Sequence, residues 1–164
     1  MQQTKLDQEI KAENQLVSDW LLFCPDRKTE LLLIRENILH SSSLPDRNGR
    51  CKSNAISDIT ANKGIKLGDL EMQKWVELIE EIELDLTWQK KIFLRLRREY
   101  RYEQRGYGGK GWVYHVQYKY AEEMAEKTGK GIEECWIDDR GTFWRWWNRI
   151  VNNTARMAGK RGLL

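Results

Sequence analysis

Apolar residues recur at helical spacing over most of this chain, which indicates a helical protein. In the first region they are Leu6, Ile10, Leu16 or Val17, Trp20 and Leu21. This helix is expected to stop near Cys24 and Pro25, because proline lacks the N–H that a helix interior requires. Asp26 can cap a second helix, whose apolar face is Leu31, Ile34 and Ile38. Residues 1–40 therefore predict an N-terminal helical hairpin.

The next region is rich in turn-forming residues and poor in apolar ones. It predicts an exposed linker at residues 41–65, followed by a helical domain at residues 66–164. In that domain Asp69 can cap a long helix, whose apolar positions are Met72, Trp75, Val76, Ile79, Ile82 and Leu86. Thr87 can cap the following helix, whose apolar positions are Trp88, Ile92, Phe93, Leu96 and Tyr100. The outer face of this helix is basic.

A glycine-rich break at residues 106–111 interrupts the helical pattern. It is not a phosphate-binding loop of the Walker type, because Gly111 follows Lys110 where that motif requires Ser or Thr. A flexible connection is favoured, and a basic wing that touches DNA phosphates is the alternative. Residues 112–118 alternate like a strand, and from Tyr120 the pattern is helical until Gly129.

The final segment, residues 140–161, contains six cations and no acid. On a helix its apolar residues form one stripe, which consists of Phe143, Trp146, Trp147, Ile150, Thr154 and Met157. Arg145, Arg149, Asn152 and Arg156 line the opposite face. The apolar stripe predicts packing against the core, and the polar face predicts contact with a polyanion such as the DNA major groove.

Charge is divided unevenly along the 164 residues, and this supports a polyanion as partner of the second half. Residues 1–87 carry 11 Lys and Arg against 16 Asp and Glu, a net charge of −5. Residues 88–164 carry 17 against 9, a net charge of +8. Because the excess lies among aromatic residues, it predicts nucleic-acid binding rather than a chance grouping of solvated charges.

Other classes of function find little support in the sequence. His40 and His115 lack neighbours at metal-ligand spacing, so no metal, cofactor or catalytic group is expected, and the chain is not predicted to be an enzyme. The three cysteines are odd in number and widely spaced, which is typical of reduced thiols. With no apolar segment of membrane-spanning length, we expect a cytoplasmic protein.

The last two predicted helices suggest a helix-turn-helix. Tyr120, Ala121 and Ala125 supply small and apolar contact positions on the first helix, and Asp138 or Asp139 can cap the second. Trp144 is expected either to flank the core or to stack on a sugar or base. The candidate DNA-binding residues are Arg140, Thr142, Trp144, Arg145, Asn148, Arg149, Asn152 and Arg156.

The order and spacing of these blocks resemble the phage late-gene transcriptional regulators of the RinA and ArpU type, whose C-terminal part is similar to region 4 of sigma factors. The blocks are Leu16-x-x-x-Trp20, Glu30-Leu31-x-x-Ile34-Arg35-Glu36-x-Ile38, Trp75-Val76-x-x-Ile79-x-x-Ile82, Lys91-Ile92-Phe93-x-x-Leu96-Arg97, Tyr120-Ala121-x-x-Met124-Ala125 and residues 140–151. The resemblance implies an all-α protein that binds a phage promoter and activates late genes. Its matching positions for DNA contact are Arg140, Thr142, Arg145, Asn148 and Arg149. This chain departs from the family in its long turn between Gly129 and Arg140.

The expected partners are double-stranded DNA, host RNA polymerase and further copies of the chain. One alternative is a DNA-packaging recogniser similar to a small terminase, which assembles into a ring. Another is a protein-interaction adaptor without nucleic-acid binding. Its structural sign is internal pairing of Arg145 and Arg149 with Glu122, Glu123 or Glu126.

Overall fold

The computed structural model describes the backbone of residues 2–41, 55–103 and 111–164, and the side chains of 5–37, 68, 70–103 and 111–164. Every element in these ranges is helical, which confirms the predicted all-α class for this part of the chain. The helices are α1 (Gln2–Ser41), α2 (Ala55–Asp85), α3 (Trp88–Glu99), α4 (Trp112–Thr128), α5 (Ile132–Cys135) and α6 (Arg140–Lys160). None of the described helices is long and apolar enough to cross a membrane.

The predicted N-terminal hairpin is wrong, because α1 is a single helix of 40 residues that contains Pro25. Proline at this position cannot donate to the carbonyl of Leu21, one turn earlier. Arg98 of α3 replaces the missing donor, since its Nε lies 2.8 Å from the Leu21 oxygen. The buried carbonyl is thus satisfied from outside the helix, and α1 continues past the proline.

Part of the linker predicted at residues 41–65 is helical in the structure. Ser41 is the last residue of α1, and α2 begins at Ala55, so Asp69 lies inside a helix instead of capping one. Residues 42–54, which hold the turn-forming part of the predicted linker, lie outside the described residues. The glycine-rich break lies outside them as well, apart from Gly111, which is the N-cap of α4.

One hydrophobic core joins the early and late parts of the chain. α1 packs against α2 and α6, and α6 also contacts α3 and α4. Phe143, Trp147 and Ile150 are buried in this core, while Trp146 and Met157 are half-buried against it. The apolar stripe predicted for the final helix is therefore confirmed, and α6 is held on several sides.

The long turn between α4 and α6 is built from three local features. Gly129 ends α4 in the left-handed conformation with φ of 69°, where a residue with a side chain is strained. The side chain of Gln117 on α4 donates to the carbonyl oxygen of Ile137 at 2.6 Å and fastens the turn to the core. Asp139 then caps α6 by accepting from the N–H of Gly141 at 2.8 Å. The turn also contains the short helix α5, in which Ile132 is exposed, while Ile137 after it packs on the core.

Candidate nucleic-acid interface

The solvent-facing side of α6 carries cations and amides, as the spacing predicts. Its central part consists of Arg145, Asn148, Arg149, Asn152 and Arg156, all of them exposed. The opposite side is anchored in the core by Phe143 and Ile150. This arrangement fixes the axis of the helix while its cationic side chains remain free to meet a partner. We call these five residues the cationic face.

A groove of about 760 Å³ separates the cationic face from the junction of α2 and α3. Lys90 at the start of α3 lies on its far wall, and Asp85 at the end of α2 is its single acid. The α6 side contributes three arginines, Arg145, Arg149 and Arg156. Because Arg145 is paired with Asp139, the unpaired cations of the groove are Lys90, Arg149 and Arg156, against the one carboxylate of Asp85. This excess gives the groove a positive potential, which suits a phosphate backbone.

On the other side of α6 lies a second groove of about 430 Å³, formed with the N-terminal half of α1. Its α1 wall consists of Lys11, Asn14, Gln15 and Ser18, and its α6 wall includes Asn148 and Asn152. None of the residues that line it is acidic. The sequence does not predict this wall, because these four residues have the pattern of an ordinary solvent-exposed helix face. Their part in a groove depends on the packing of α1 beside α6.

Arg145 is held by the cap of its own helix. Its Nη2 donates to Asp139 Oδ2 at 2.5 Å and to Thr142 Oγ1 at 2.8 Å. The hydrogen bond from Arg145 is the main reason that the pKa of Asp139 lies below its ordinary value, and the backbone N–H of Gly141 adds to the effect. Arg145 therefore keeps a defined position near the N-terminus of α6, with part of its donor capacity already used.

Arg149 and Arg156 are less constrained than Arg145. Arg156 donates to the side chain of Asn153 at 2.9 Å, a neutral partner that leaves its charge uncompensated. No acid in the described part of the chain forms an ion pair with Arg149. These two guanidinium groups are the most available cations on the face.

Arg140 and Trp144 do not join the other predicted residues. Trp144 packs edge-on against Trp112 of α4 at 4.9 Å between ring centroids, and Arg140 lies 5.8 Å from the ring centre of Tyr114. Both residues line a separate cavity near the start of α6. The structure thus divides the predicted site in two, with Thr142 half-buried beside Asp139.

Little in the described residues points to catalysis or metal binding. They contain no group of three His, Cys, Asp or Glu residues that could hold a metal ion. Cys24 and Cys135 are free thiols, and Cys51 lies outside the described residues. Burial raises the pKa of Cys24 to about 11, which suppresses its reactive thiolate form.

Comparison of the chain with family models, with curated proteins and with solved structures gave no match. Interpretation of function therefore depends on the chemistry of the surface. The most distinctive part of that surface is the cationic face between its two grooves.

Proposed function

We propose that this protein is a sequence-specific DNA-binding transcriptional regulator, in which α4 and α6 act as the two helices of a helix-turn-helix. The observation that supports it most is the cationic face, which is exposed and free of acids while the other side of α6 is anchored in the core. An activating role in phage or prophage late transcription, with contacts to host RNA polymerase, follows from the resemblance to the RinA and ArpU regulators.

The two grooves support a duplex as the ligand. A helix lying in the major groove has a sugar-phosphate backbone on each side. The protein must therefore offer room and hydrogen-bond donors on both flanks of that helix. Lys90 and Arg156 supply them on one flank, and Lys11 and Asn14 supply them on the other. Asn148, which lines both grooves, and Arg149, which lines the first, are then the residues that we expect to read base edges.

Three acids of α2 form ion pairs elsewhere in the fold. On α2, Glu80 pairs with Lys28, Glu81 with Arg161 and Glu83 with Arg98. Asp85 is the acid that lines the groove itself. The negative net charge of the first half is thus partly compensated within the fold, which limits its repulsion of DNA.

The adaptor alternative predicts that Arg145 and Arg149 pair with acids of α4. Arg145 pairs instead with Asp139, while Glu123 pairs with Arg95 and Glu122 with Lys119. This pattern favours the DNA-binding proposal. The packaging alternative predicts a ring of many copies, so light scattering of the purified protein distinguishes it from a regulator that is a monomer or dimer.

Selection of binding sites from a random duplex pool, followed by titrations over a salt series, tests the proposal. Arg149→Gln is expected to weaken specific binding by about 1–3 kcal/mol and to relax the preference at one base pair. Arg156→Gln is expected to weaken binding to all sequences and to lower the salt slope by about 1. Lys119→Gln removes the same charge from α4 and serves as the control. Binding that does not depend on salt, or no binding at micromolar protein, would contradict the proposal.

A further inference from the structure

A cavity of about 770 Å³ lies away from the cationic face, between α1, the residues after α3, and the first turns of α4 and α6. Its volume is in the range of pockets that hold small organic ligands. Aromatic side chains on its walls include Tyr102, Trp112 and Trp144. Three arginines also line it, Arg97, Arg101 and Arg140. Glu103 and Gly111 both line it, and residues 104–110 lie outside the described residues.

Arg97 is a buried cation that no carboxylate of the described residues pairs with. Only 9% of the residue is exposed. Within the part of the chain that the structure describes, its Nε has no hydrogen-bond partner, and its Nη1 makes one long bond of 3.4 Å to the Tyr100 carbonyl. Burial lowers the pKa of Arg97 to about 10. A folded protein rarely carries such an uncompensated charge unless a ligand or partner meets it.

Aromatic rings around Arg97 offset only part of this cost. Its guanidinium carbon lies 4.4 Å from the ring centre of Trp112 and 5.2 Å from that of Trp147. Contacts of this kind satisfy no hydrogen-bond donor of the guanidinium, whose Nη1 makes only the long bond to Tyr100. Its remaining donors suit an oxyanion.

The remaining charges of the cavity also favour an anion. Arg101 pairs with Asp26 at 2.8 Å, yet its buried Nε has no partner. Two carboxylates line the cavity, and both have partners, since Asp19 accepts from Gln15 at 3.0 Å and Glu103 lies 2.8 Å from His115 Nε2. Among the described residues no carboxylate forms an ion pair with Arg97 or Arg140, so these two cations of the cavity are the ones available to an anionic ligand.

We propose that this cavity binds a nucleoside phosphate, with the phosphate on Arg97 and Arg140 and the base against the rings of Trp144 and Tyr102. The combination of a buried guanidinium with exposed aromatic edges fits a ligand that is anionic at one end and planar at the other. The site is separate from the cationic face and does not depend on the proposed DNA binding.

Isothermal titration calorimetry of the full chain with each of the four ribonucleoside monophosphates tests the site. The same titration with the unphosphorylated nucleosides, and with inorganic phosphate alone, separates the two ends of the ligand. Binding of at least one monophosphate is expected, and both partial ligands are expected to bind about tenfold more weakly or worse. A nucleoside or phosphate that binds as tightly as the nucleotide, or the absence of any nucleotide binding at millimolar concentration, would overturn the proposal.

Three variants locate the site. Arg97→Met replaces the buried charge by an apolar chain of similar length, and it is expected to lower nucleotide affinity about tenfold or more without lowering the melting temperature. Arg140→Ala changes the exposed wall of the cavity, and it is also expected to lower nucleotide affinity. It tests the site even if the Arg97 variant does not fold. Arg149→Ala, on the cationic face, is the matched control and is expected to bind the nucleotide normally. Unchanged affinity in both cavity variants would contradict the assignment.

Discussion

At the scale of single residues, Arg98 decides how the first helix is built. Its Nε donates to the carbonyl of Leu21, and its Nη2 lies 2.5 Å from a carboxylate oxygen of Glu83. One guanidinium therefore joins α1, α2 and α3. The Arg98 side chain is largely buried. A polar group that lost its partner there would also be shielded from water, and this costs stability.

We expect Arg98→Met to lower the free energy of unfolding by about 2–4 kcal/mol, because it leaves the Leu21 carbonyl and the Glu83 carboxylate without their donor. Pro25→Ala returns an N–H to the same carbonyl. Urea denaturation of both single variants and the double variant should show that Pro25→Ala recovers about 1 kcal/mol in the Arg98→Met background. Additive effects of the two substitutions would contradict this account of the proline.

The lowered pKa of Asp139 predicts that the stability of the protein depends on pH. Its pKa is lowered in the folded protein, chiefly by the hydrogen bond from Arg145, so its contribution is complete above the unfolded pKa of about 4. That contribution is lost as the pH falls through the lowered folded value. Asp139→Asn should therefore melt at a lower temperature than the original chain at pH 7. The two melting temperatures should converge towards pH 2, and a constant difference would contradict the role of the charge.

At the scale of helices, two glycines should respond in opposite directions to the same substitution. Gly129→Ala is expected to destabilise the protein by about 1 kcal/mol, because φ there is +69° although space for the methyl group is open. Gly68→Ala, inside α2 and also in open space, should stabilise it by about 0.5–1 kcal/mol. Chemical denaturation of the two variants checks this. If both substitutions change the stability in the same direction, the conformation of Gly129 does not control the end of α4.

The sequence predicts helices well where burial and charge separate on the helical period. In α6 the buried Phe143 and Ile150 and the exposed Arg149 lie where the spacing places them. Spacing cannot show which neighbours a face will meet. The spacing groups Trp144 and Arg140 with the DNA-binding candidates. In the structure Trp144 packs on Trp112 and Arg140 lies over Tyr114, so both residues line a different cavity.

At the scale of the whole molecule, thiol reactivity reports on the integrity of the core. Cys24 is buried where α1 packs, and its pKa is raised to about 11, so the thiolate form is scarce in the folded state. In a Cys51→Ser background, we expect Cys135 to react first with a thiol reagent. Cys24 should react only at the rate of global unfolding, measured by mass spectrometry over a urea series. Rapid labelling of Cys24 without denaturant would show that α1 separates from the core by itself.

The hydrogen bond from Arg98 to the Leu21 carbonyl also implies an order of folding steps. The two partners are 77 residues apart, so the contact cannot form until α3 has been synthesised and has docked. Until then no donor of α3 reaches the Leu21 carbonyl, and we expect the N-terminal segment to bend at Pro25. The long helix is a product of assembly, completed by a residue from the other half of the protein.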